Sequence, residues 1–312
     1  MPQFTPHQDA ALKAVADWLA AKPGRGNTPP VFRLFGYAGT GKTTLAQHIA
    51  EAVDGKVLFA AFTGKAALVM RQKGCESAST IHALIYRTRE SGAETPSFEL
   101  WDEAPASKAK LIVIDECSMV DEELGRDLMS FGVPVLVLGD PAQLPPVSGG
   151  GFFTAGEPDA MLTEVHRQAE NDPIVRLSMA VRAGETLAPG AWGDTEVVPK
   201  SALDPARVLG ADQILVGRNA TRRAYNNRMR ERRRFAEPLP VAGDKLVCLR
   251  NNKKKALFNG GLWTVRARAV SKSRLVTMRV APEEEEGTRV VKVTVRTECF
   301  TGGIEAIDWK QR

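Results

Sequence analysis

Cysteine is scarce in this sequence of 312 residues. The four cysteines, at positions 75, 117, 248 and 299, are scattered and form no CxxC pair. This argues against a disulfide framework or a zinc site and favours a reducing cytoplasm. The sequence also lacks any apolar run of about 18 residues, and residues 1–20 lack a basic stretch followed by an apolar one. We therefore expect a cytoplasmic protein with no membrane partner and no secretion signal.

The composition nevertheless supports a large core, because 43% of the residues are hydrophobic, and the length suggests about two domains. Charge is distributed unevenly. Residues 1–160 contain 14 Lys and Arg against 19 Asp and Glu, a net of −5, whereas residues 161–312 contain 28 against 18, a net of +10. A basic half favours a polyanionic partner such as nucleic acid, and a solvated charged surface is the alternative.

Short apolar runs in the first half alternate with helical patterns. The runs are VFRLF (31–35), KVLFAAF (56–62), LIVID (111–115) and VPVLVLGD (133–140), and the helices are expected near 42–53, 64–73 and 121–131. Such alternation predicts an α/β fold with a parallel sheet covered on both faces. Ligands are then expected at the carboxyl ends of the strands. The polar stretch 86–108 predicts a small insertion, such as a hairpin.

The pattern restarts after residue 160. A helix is predicted from Asp172-Pro173 to a stop at Gly184, and QILVGRN (213–219) predicts a buried strand. A strongly basic helix is expected at 221–235. Four strand-like runs within 243–300 predict a small antiparallel barrel or sheet, with an exposed loop at 283–287.

The stretch GYAGTGKTT satisfies the pattern G-x-x-x-x-G-K-[ST] between an apolar strand and a helix. Glycines and a helix N-terminus direct backbone N–H groups at phosphates, so the predicted ligands are ATP and Mg²⁺. Lys42 is expected to reach the β- and γ-phosphates, and the Thr43 hydroxyl to bind the metal. An ordinary glycine-rich turn is the alternative. The residues expected to bind ATP here are Gly36, Tyr37, Ala38, Gly39, Thr40, Gly41, Lys42, Thr43 and Thr44.

Two further motifs are expected at the same edge of the sheet. Asp115 closes an apolar strand and is predicted to hold Mg²⁺ opposite Thr43, while Glu116 is predicted to orient and deprotonate the attacking water. Gln143, in GDPAQLPP, is expected to sense the γ-phosphate or the water. The alternatives are an exposed acidic turn and a proline-rich turn.

Six stretches in order resemble successive motifs of superfamily 1 DNA helicases: GYAGTGKTT, AAFTGKAALVM, STIHALIY, LIVIDECSM, GDPAQLPPV and LTEVHRQA. The resemblance is closest to the superfamily 1B branch that contains RecD and the phage Dda helicase, which moves 5′ to 3′ on single-stranded DNA. It covers residues 1–170 well and continues more weakly to about 265. It implies a RecA-like P-loop NTPase that couples ATP hydrolysis to strand movement in replication, recombination or repair. The implied protein is monomeric, and its further partners are single-strand-binding, replication or recombination proteins.

The resemblance also implies roles for individual residues. Gln8 resembles the glutamine that recognises adenine. Arg167 resembles an arginine that reaches the γ-phosphate from the junction with the second domain, and a salt bridge with Glu164 is the alternative. For His82 a purely structural role is the alternative. The residues that the resemblance places on DNA are Thr63, Lys65, Thr80 and His82.

The basic second half supplies further DNA-binding candidates. Asn219, Arg222 and Arg223, beside Arg218, are expected to contact phosphates. The nearby aromatic residues Tyr225, Phe258 and Trp263 are candidates for base stacking, although the alternating strand around Trp263 favours a place in the barrel core.

The resemblance implies a domain plan in which one expected part is absent. The plan is a RecA-like motor domain 1A at 1–160 with a 1B-like insertion at 86–108, a partial second motor domain 2A at 161–242, an SH3-like β-barrel insertion at 243–300 and a return to 2A at 301–312.

The later motifs with T-x-H-K-x-Q-G and T-R-A patterns do not occur. We therefore expect a helicase truncated at its C-terminus that binds Mg·ATP and DNA but hydrolyses slowly. A non-translocating fragment or loading module is one alternative. A small-molecule kinase is another, against which Asp115-Glu116, GDPAQ and the basic half argue.

Overall fold

The structure is a computed structural model that describes residues 4–89, 97–146, 149–164, 172–235, 238–249, 252–257, 259–268, 274–283 and 289–301. The chain forms two compact units. The first unit comprises Met1–Ala169 and Val247–Gly261, and the second comprises Glu170–Leu246 and Leu262–Arg312. The assignment of these units to named motor domains stays a prediction.

A six-stranded sheet forms the centre of the first unit. In the order β3-β2-β6-β7-β1-β8, every described pair of neighbouring strands is parallel. This confirms the predicted α/β fold, and the four predicted apolar runs correspond to β1, β2, β6 and β7. The strands of this unit are β1 (Val31–Gly36), β2 (Val57–Ala61), β3 (Ser79–Thr80), β4 (Tyr86–Arg89), β5 (Ser97–Leu100), β6 (Leu111–Asp115), β7 (Val135–Gly139) and β8 (Ala160–Leu162).

Helices cover both faces of the sheet, which explains why its strands read as continuous apolar runs. Side chains on one face, such as Leu34 and Val113, pack with α1, α2 and α3. Side chains on the other face, such as Ile114 and Val137, pack with α4 and α5. These helices are α1 (Pro6–Ala20), α2 (Lys42–Ala52), α3 (Gly64–Gln72), α4 (Ile81–Ile85) and α5 (Glu122–Met129).

Side-chain caps explain where several of these helices begin. The Thr5 hydroxyl accepts a hydrogen bond from the Gln8 backbone N–H, the Gln8 side chain accepts one from the Thr5 N–H, and Pro6 fills the first helical position. Thr63, Thr80 and Asp121 cap α3, α4 and α5 through bonds of 3.1, 3.2 and 2.9 Å from backbone N–H groups. Each cap satisfies one of the donors that a helix start leaves unpaired.

The predicted insertion at 86–108 begins as an antiparallel hairpin of β4 and β5. Its base is closed by a 3.0 Å hydrogen bond from the Trp101 N–H to the Ile85 carbonyl, and an ion pair joins Arg87 to Glu99 across the strands. A short 3-10 helix follows at Pro105–Lys108.

The second unit contains short helices and two antiparallel sheets. The predicted helix from Asp172-Pro173 is confirmed, because the Asp172 carboxylate caps it by accepting from the Ile174 N–H at 2.8 Å and Gly184 follows its end with φ +79°. The sheet β11-β12-β13-β14 confirms the four predicted strands. The elements are α6 (Pro173–Arg182), β9 (Gly190–Trp192), β10 (Thr195–Val197), α7 (Pro205–Gly210), α8 (Asn219–Arg232), β11 (Lys245–Val247), β12 (Leu262–Arg268), β13 (Leu275–Pro282), β14 (Val291–Arg296) and α9 (Glu298–Thr301).

One predicted element is wrong. The run QILVGRN was expected to be a buried strand, yet residues 213–217 form no strand and Leu215 is 85% exposed. A central strand needs neighbours on both sides to satisfy its backbone and cover its side chains, and no strand in the described residues pairs with this run. The predicted loop at 283–287 lies almost wholly outside the described residues. No described helix has the length and apolar character to cross a membrane.

Candidate nucleotide site and nucleic-acid surface

The sheet brings the ATP motifs together at its carboxyl edge. The phosphate-loop sequence follows β1, Asp115 ends β6 and Gly139 ends β7, and these strands are adjacent in the order β6-β7-β1. Phe35 lies opposite Gly139 in the register of β1 and β7. Residues from three separate parts of the sequence therefore meet at the edge where α/β proteins with parallel sheets bind their ligands.

Glycines allow the loop after β1 to curl tightly onto the start of α2. Gly39 and Gly41 have φ of +78° and +82°, a region that is costly for other residues. A Cβ on Gly36 would lie 2.7 Å from the Leu162 carbonyl oxygen, so this position requires glycine for close packing against β8. The Thr40 side chain is buried and donates to the Tyr37 carbonyl at 2.9 Å. The loop thus presents the N–H groups at the start of α2, an arrangement suited to phosphate.

The Lys42 ammonium folds back over this loop. Its Nζ donates to the Gly36 carbonyl at 2.6 Å and to the Tyr37 carbonyl at 2.8 Å. Both acceptors lie in the turn that would surround a phosphate group. The ammonium is therefore held close to where the β- and γ-phosphates are expected.

Thr43 and Asp115 form the predicted metal pair. The Thr43 hydroxyl donates to Asp115 Oδ2 at 3.1 Å, although the residues are 72 positions apart in the sequence. Mg²⁺ prefers oxygen ligands and takes one or two from the protein, with the remainder from phosphates and water. The residues present fit that requirement.

Glu116 adopts an unusual backbone conformation beside this pair. Its φ of +54° and ψ of +47° lie in the left-handed region, and its N–H donates to Asp115 Oδ1 at 2.9 Å. A non-glycine residue there stores strain that often marks a functional position. Burial raises the pKa of Glu116, and the charge of Asp115 raises it further, while Lys42 and a hydrogen bond with Gln143 oppose the shift. A carboxylate tuned in this way is suited to accept a proton.

The turn after β7 completes the site. Asp140 is buried, and its carboxylate accepts from the Ala142 N–H at 3.0 Å, which fixes the turn that carries Gln143. Gln143 also acts on Glu116, whose pKa it lowers. Sequence reasoning placed this motif, with Asp140, at the end of an apolar strand but assigned a role only to Gln143.

Gln8 reaches the phosphate loop from α1. Its Nε2 donates to the Thr40 carbonyl at 3.1 Å, and its Oε1 accepts from the Thr5 N–H at 2.9 Å. Gln8 Nε2 and Oε1 each make one hydrogen bond within the described part of the chain, and each can make one more. Gln8 therefore connects the start of α1 to the loop.

The first-unit residues predicted to bind DNA follow β2 and β3 at the same edge. Thr63 and Thr80 cap α3 and α4, so their hydroxyl oxygens already accept backbone N–H groups. Lys65 is exposed on the first turn of α3. A Cβ on Gly260 would lie 2.8 Å from the Lys65 Cβ, so the loop that contains Gly260 approaches this turn closely.

His82 lies in a group of aromatic rings that we call the aromatic patch, formed by Phe62, His82, Tyr86 and Phe98. The ring of His82 lies 6.2 Å from Phe62, 5.6 Å from Tyr86 and 6.4 Å from Phe98. Part of the His82 side chain is exposed, and partial burial lowers its pKa, an effect that the charge of Asp121 opposes. Phe98 is 53% exposed. Sequence reasoning did not select Tyr86 or Phe98, because only the hairpin register brings Phe98 to α4.

The second unit places its predicted DNA-binding residues at the start of α8. Asn219, Arg222 and Arg223 are exposed there, and α8 has no buried residue. Trp263 is buried within β12, as expected for a core position. Arg167 and Phe258 lie outside the described residues.

The comparisons of this chain with a family model and with known proteins agree with one another. The family model described as an AAA domain matches residues 26–198, more than half of the chain. The chain is 31% identical over 263 residues to the ATP-dependent RecD2 DNA helicase of Deinococcus radiodurans, covering 74% of this chain and 35% of that protein. It is 33% identical over 165 residues to the ATP-dependent DNA helicase Dda of Enterobacteria phage T4, covering 48% and 37%. The chain thus spans about a third of the length of these relatives.

Solved structures support the fold. A structure of two Pif1 helicases at forked double-stranded DNA matches 94% of this chain and 76% of its own, with a TM-score of 0.54 and 21% identity. Bacteroides Pif1 bound to single-stranded DNA matches 94% and 74%, with a TM-score of 0.51 and 20% identity. The architecture is therefore shared with these helicases at low sequence identity.

Proposed function

Because the chain belongs to the AAA-domain family, in its superfamily 1B branch of RecD-, Dda- and Pif1-like helicases, we propose that it is an ATP-driven motor on single-stranded DNA. The observation that carries this proposal is the hydrogen bond of Thr43 with Asp115, beside the strained backbone of Glu116. That arrangement suits hydrolysis of a nucleoside triphosphate by water.

Each residue of the site has its own proposed role in hydrolysis. Loop N–H groups and Lys42 bind the phosphates, with the ammonium exchanging the Gly36 and Tyr37 carbonyls for phosphate oxygens. Thr43 and Asp115 would hold Mg²⁺, and the bound ion would supply positive charge opposite the phosphates. Glu116 orients the attacking water and accepts its proton, and Gln143 orients Glu116 or the water.

Two residues implied by the family complete the proposed ATP site. Gln8 recognises adenine with the remaining capacity of its amide, because an amide can both donate to and accept from the adenine edge. Arg167 stabilises the charge that develops on the γ-phosphate. Both roles are proposals drawn from the family pattern.

The proposed DNA surface combines a backbone-binding part and a base-binding part. Thr63, Lys65 and Thr80 contact the strand's backbone from the first unit, and Asn219, Arg222 and Arg223 contact it from the second. His82 and the exposed ring of Phe98 stack against bases, which is a sequence-independent mode of binding. We expect a monomer whose further partners belong to replication, recombination or repair.

Glu116→Gln tests hydrolysis most directly. Because the amide cannot accept the proton, we expect ATP turnover to fall by about 100-fold or more, while binding of a fluorescent ATP analogue is retained. Glu122→Gln is a matched control, since Glu122 is an exposed residue paired with Arg126 on α5. Turnover that survives Glu116→Gln would contradict the proposed role. If turnover of the unmodified chain does not rise with single-stranded DNA, the chain acts on another substrate.

The direction of movement is proposed to be 5′ to 3′. In a protein that contains the later helicase motifs, a duplex with a 5′ tail should be unwound and one with a 3′ tail should not. We expect the 312-residue chain alone to bind Mg·ATP and DNA, to hydrolyse slowly and to leave both duplexes intact. Equal unwinding of the two tailed duplexes would refute the direction, and robust unwinding by the chain alone would refute the second expectation.

A further inference from the structure

Helix α5 lies beside the hydrolysis site. It begins at Glu122, and only a 3-10 turn at Cys117–Met119 and a two-residue connection separate it from Glu116. The capping oxygen of Asp121 fixes its first turn. Any shift of α5 along its axis would therefore act on the strained backbone at Glu116.

The same helix also contacts the segment that follows the Gln143 turn. A Cβ on Gly125 would lie 2.3 Å from atoms of the Phe152 ring, so glycine is required there for the ring to pack on the helix. The Phe152 N–H donates to the Val120 carbonyl at 2.8 Å, just before α5. Phe152 is thus held against α5 and the residue that precedes its cap.

Helix α5 also contacts the hairpin formed by β4 and β5. The Tyr86 hydroxyl donates to Asp127 Oδ2, and both side chains are half-buried. Tyr86 is the first residue of β4 and directly follows α4. Burial is the largest cause that raises the pKa of Tyr86, and the hydrogen bond and charge of Asp127 raise it further. The phenol therefore keeps its proton and remains a donor.

Tyr86 is also part of the aromatic patch. Its ring lies 5.6 Å from His82 and 6.5 Å from Phe98. The charges of Asp121 and Glu123, both near the start of α5, also act on Tyr86, and Asp121 acts on His82. One side chain therefore touches the proposed base-binding surface with its ring and the hydrolysis-side helix with its hydroxyl.

We propose that the Tyr86–Asp127 hydrogen bond is a positioning contact that couples strand binding at the aromatic patch to Glu116 through α5. This inference rests on the proposed function, because it assumes that DNA occupies the patch. A base stacked on His82 or Phe98 shifts the Tyr86 ring, and the bond passes that displacement to α5. Tyr86 and Asp127 are not among the residues assigned to the nucleotide, so the contact affects coupling and leaves the chemistry itself to other residues.

The coupling can be measured by binding alone. A fluorescent oligothymidylate is titrated with the 312-residue chain, with and without a non-hydrolysable ATP analogue and Mg²⁺, and the ratio of the two dissociation constants is the coupling factor. Contacts along such a route change coupling by about 2- to 30-fold. We expect Tyr86→Phe, which keeps the ring in the aromatic patch, to reduce the factor within that range. Asp127→Ala lies outside the patch and should leave the binding of each ligand alone within about twofold of the unmodified chain.

Three further variants keep the test falsifiable. Asp127→Ala should reduce coupling as Tyr86→Phe does, and the double variant should lose no more than either single change, because both remove one bond. Asp127→Asn retains an acceptor oxygen and should preserve coupling. Glu99→Gln breaks the exposed ion pair with Arg87 in the same hairpin and should have no effect.

Each outcome has a defined meaning. Full coupling in both Tyr86→Phe and Asp127→Ala overturns the inference, as does DNA binding by the unmodified chain that is indifferent to the nucleotide. Equal losses in Glu99→Gln would assign the effect to general loosening of the hairpin and also overturn it. If the unmodified chain does not bind the oligothymidylate, the proposed function itself fails.

Discussion

The two units use their apolar side chains in different ways. In the first unit every residue of β7 is buried, and α5 buries Leu124 and Leu128 beneath it. In the second unit α6, α7 and α8 have no buried residue, Ile174 is 64% exposed and Leu215 is 85% exposed. Apolar burial is therefore concentrated under the nucleotide site and in the antiparallel sheet.

The difference matches the chemistry proposed for each unit. Hydrolysis requires Thr43, Asp115, Glu116 and Gln143 to keep fixed positions, and close-packed strands beneath them resist displacement. Sequence-independent binding of a strand requires positive charge and accessible side chains more than a rigid core. A densely packed unit that holds the hydrolysis residues and a basic, exposed helix in the other unit fit these two proposed roles.

Truncation of a buried side chain should give the largest difference between the units. Leu136 is completely buried in β7, so Leu136→Ala should reduce the free energy of unfolding of the first unit by about 2–5 kcal/mol. Leu215→Ala makes the same chemical change at an exposed position and should alter stability by no more than about 0.5 kcal/mol.

Hydrogen exchange in increasing urea would measure both effects, because the amides of β6 and β7 report on the first unit and those of β12 and β13 report on the second. Comparable losses for the two leucines would show that Leu215 is buried in solution. The contrast between the units would then be incorrect.

The same contrast explains what the sequence could predict. β1, β2, β6 and β7 were predicted because continuous apolar runs separated by helical patterns carry local information about a buried parallel sheet. The run at 213–217 has the same local pattern, yet it forms no strand and its Leu215 is exposed. Burial depends on neighbouring strands, which a local pattern does not reveal.

The candidate site shows the same division. The phosphate loop and Thr43 were predictable because one stretch of chain contains them, and Asp115 was predictable because it closes an apolar strand. The bond from Gln8 to the Thr40 carbonyl, the turn held by Asp140 and the contact of Tyr86 with Asp127 depend on side-chain geometry. These side-chain types are common, and their positions in the sequence do not reveal which partner each one contacts.

The salt dependence of DNA binding should also differ between the two units, with a smaller effect than the change in stability. The slope of log affinity against log salt is negative, and removing one cation that binds a phosphate of a single strand reduces its magnitude by about 0.7. Arg222→Gln combined with Arg223→Gln should therefore reduce the magnitude by about 1.4, and Lys65→Gln in the first unit should reduce it by about 0.7. All three side chains are exposed, so the substitutions change charge with little effect on packing.

Arg207→Gln is the matched control, because Arg207 is an exposed arginine of the second unit paired with Glu196. It should leave the slope unchanged, since a charge neutralised within the protein displaces few counterions from DNA. A reduction with Arg207→Gln equal to that of the α8 pair would mean that net charge, rather than the start of α8, attracts the strand. A reduction with Lys65→Gln alone would place the strand's phosphates on the first unit, and the basic character of α8 would then need another explanation.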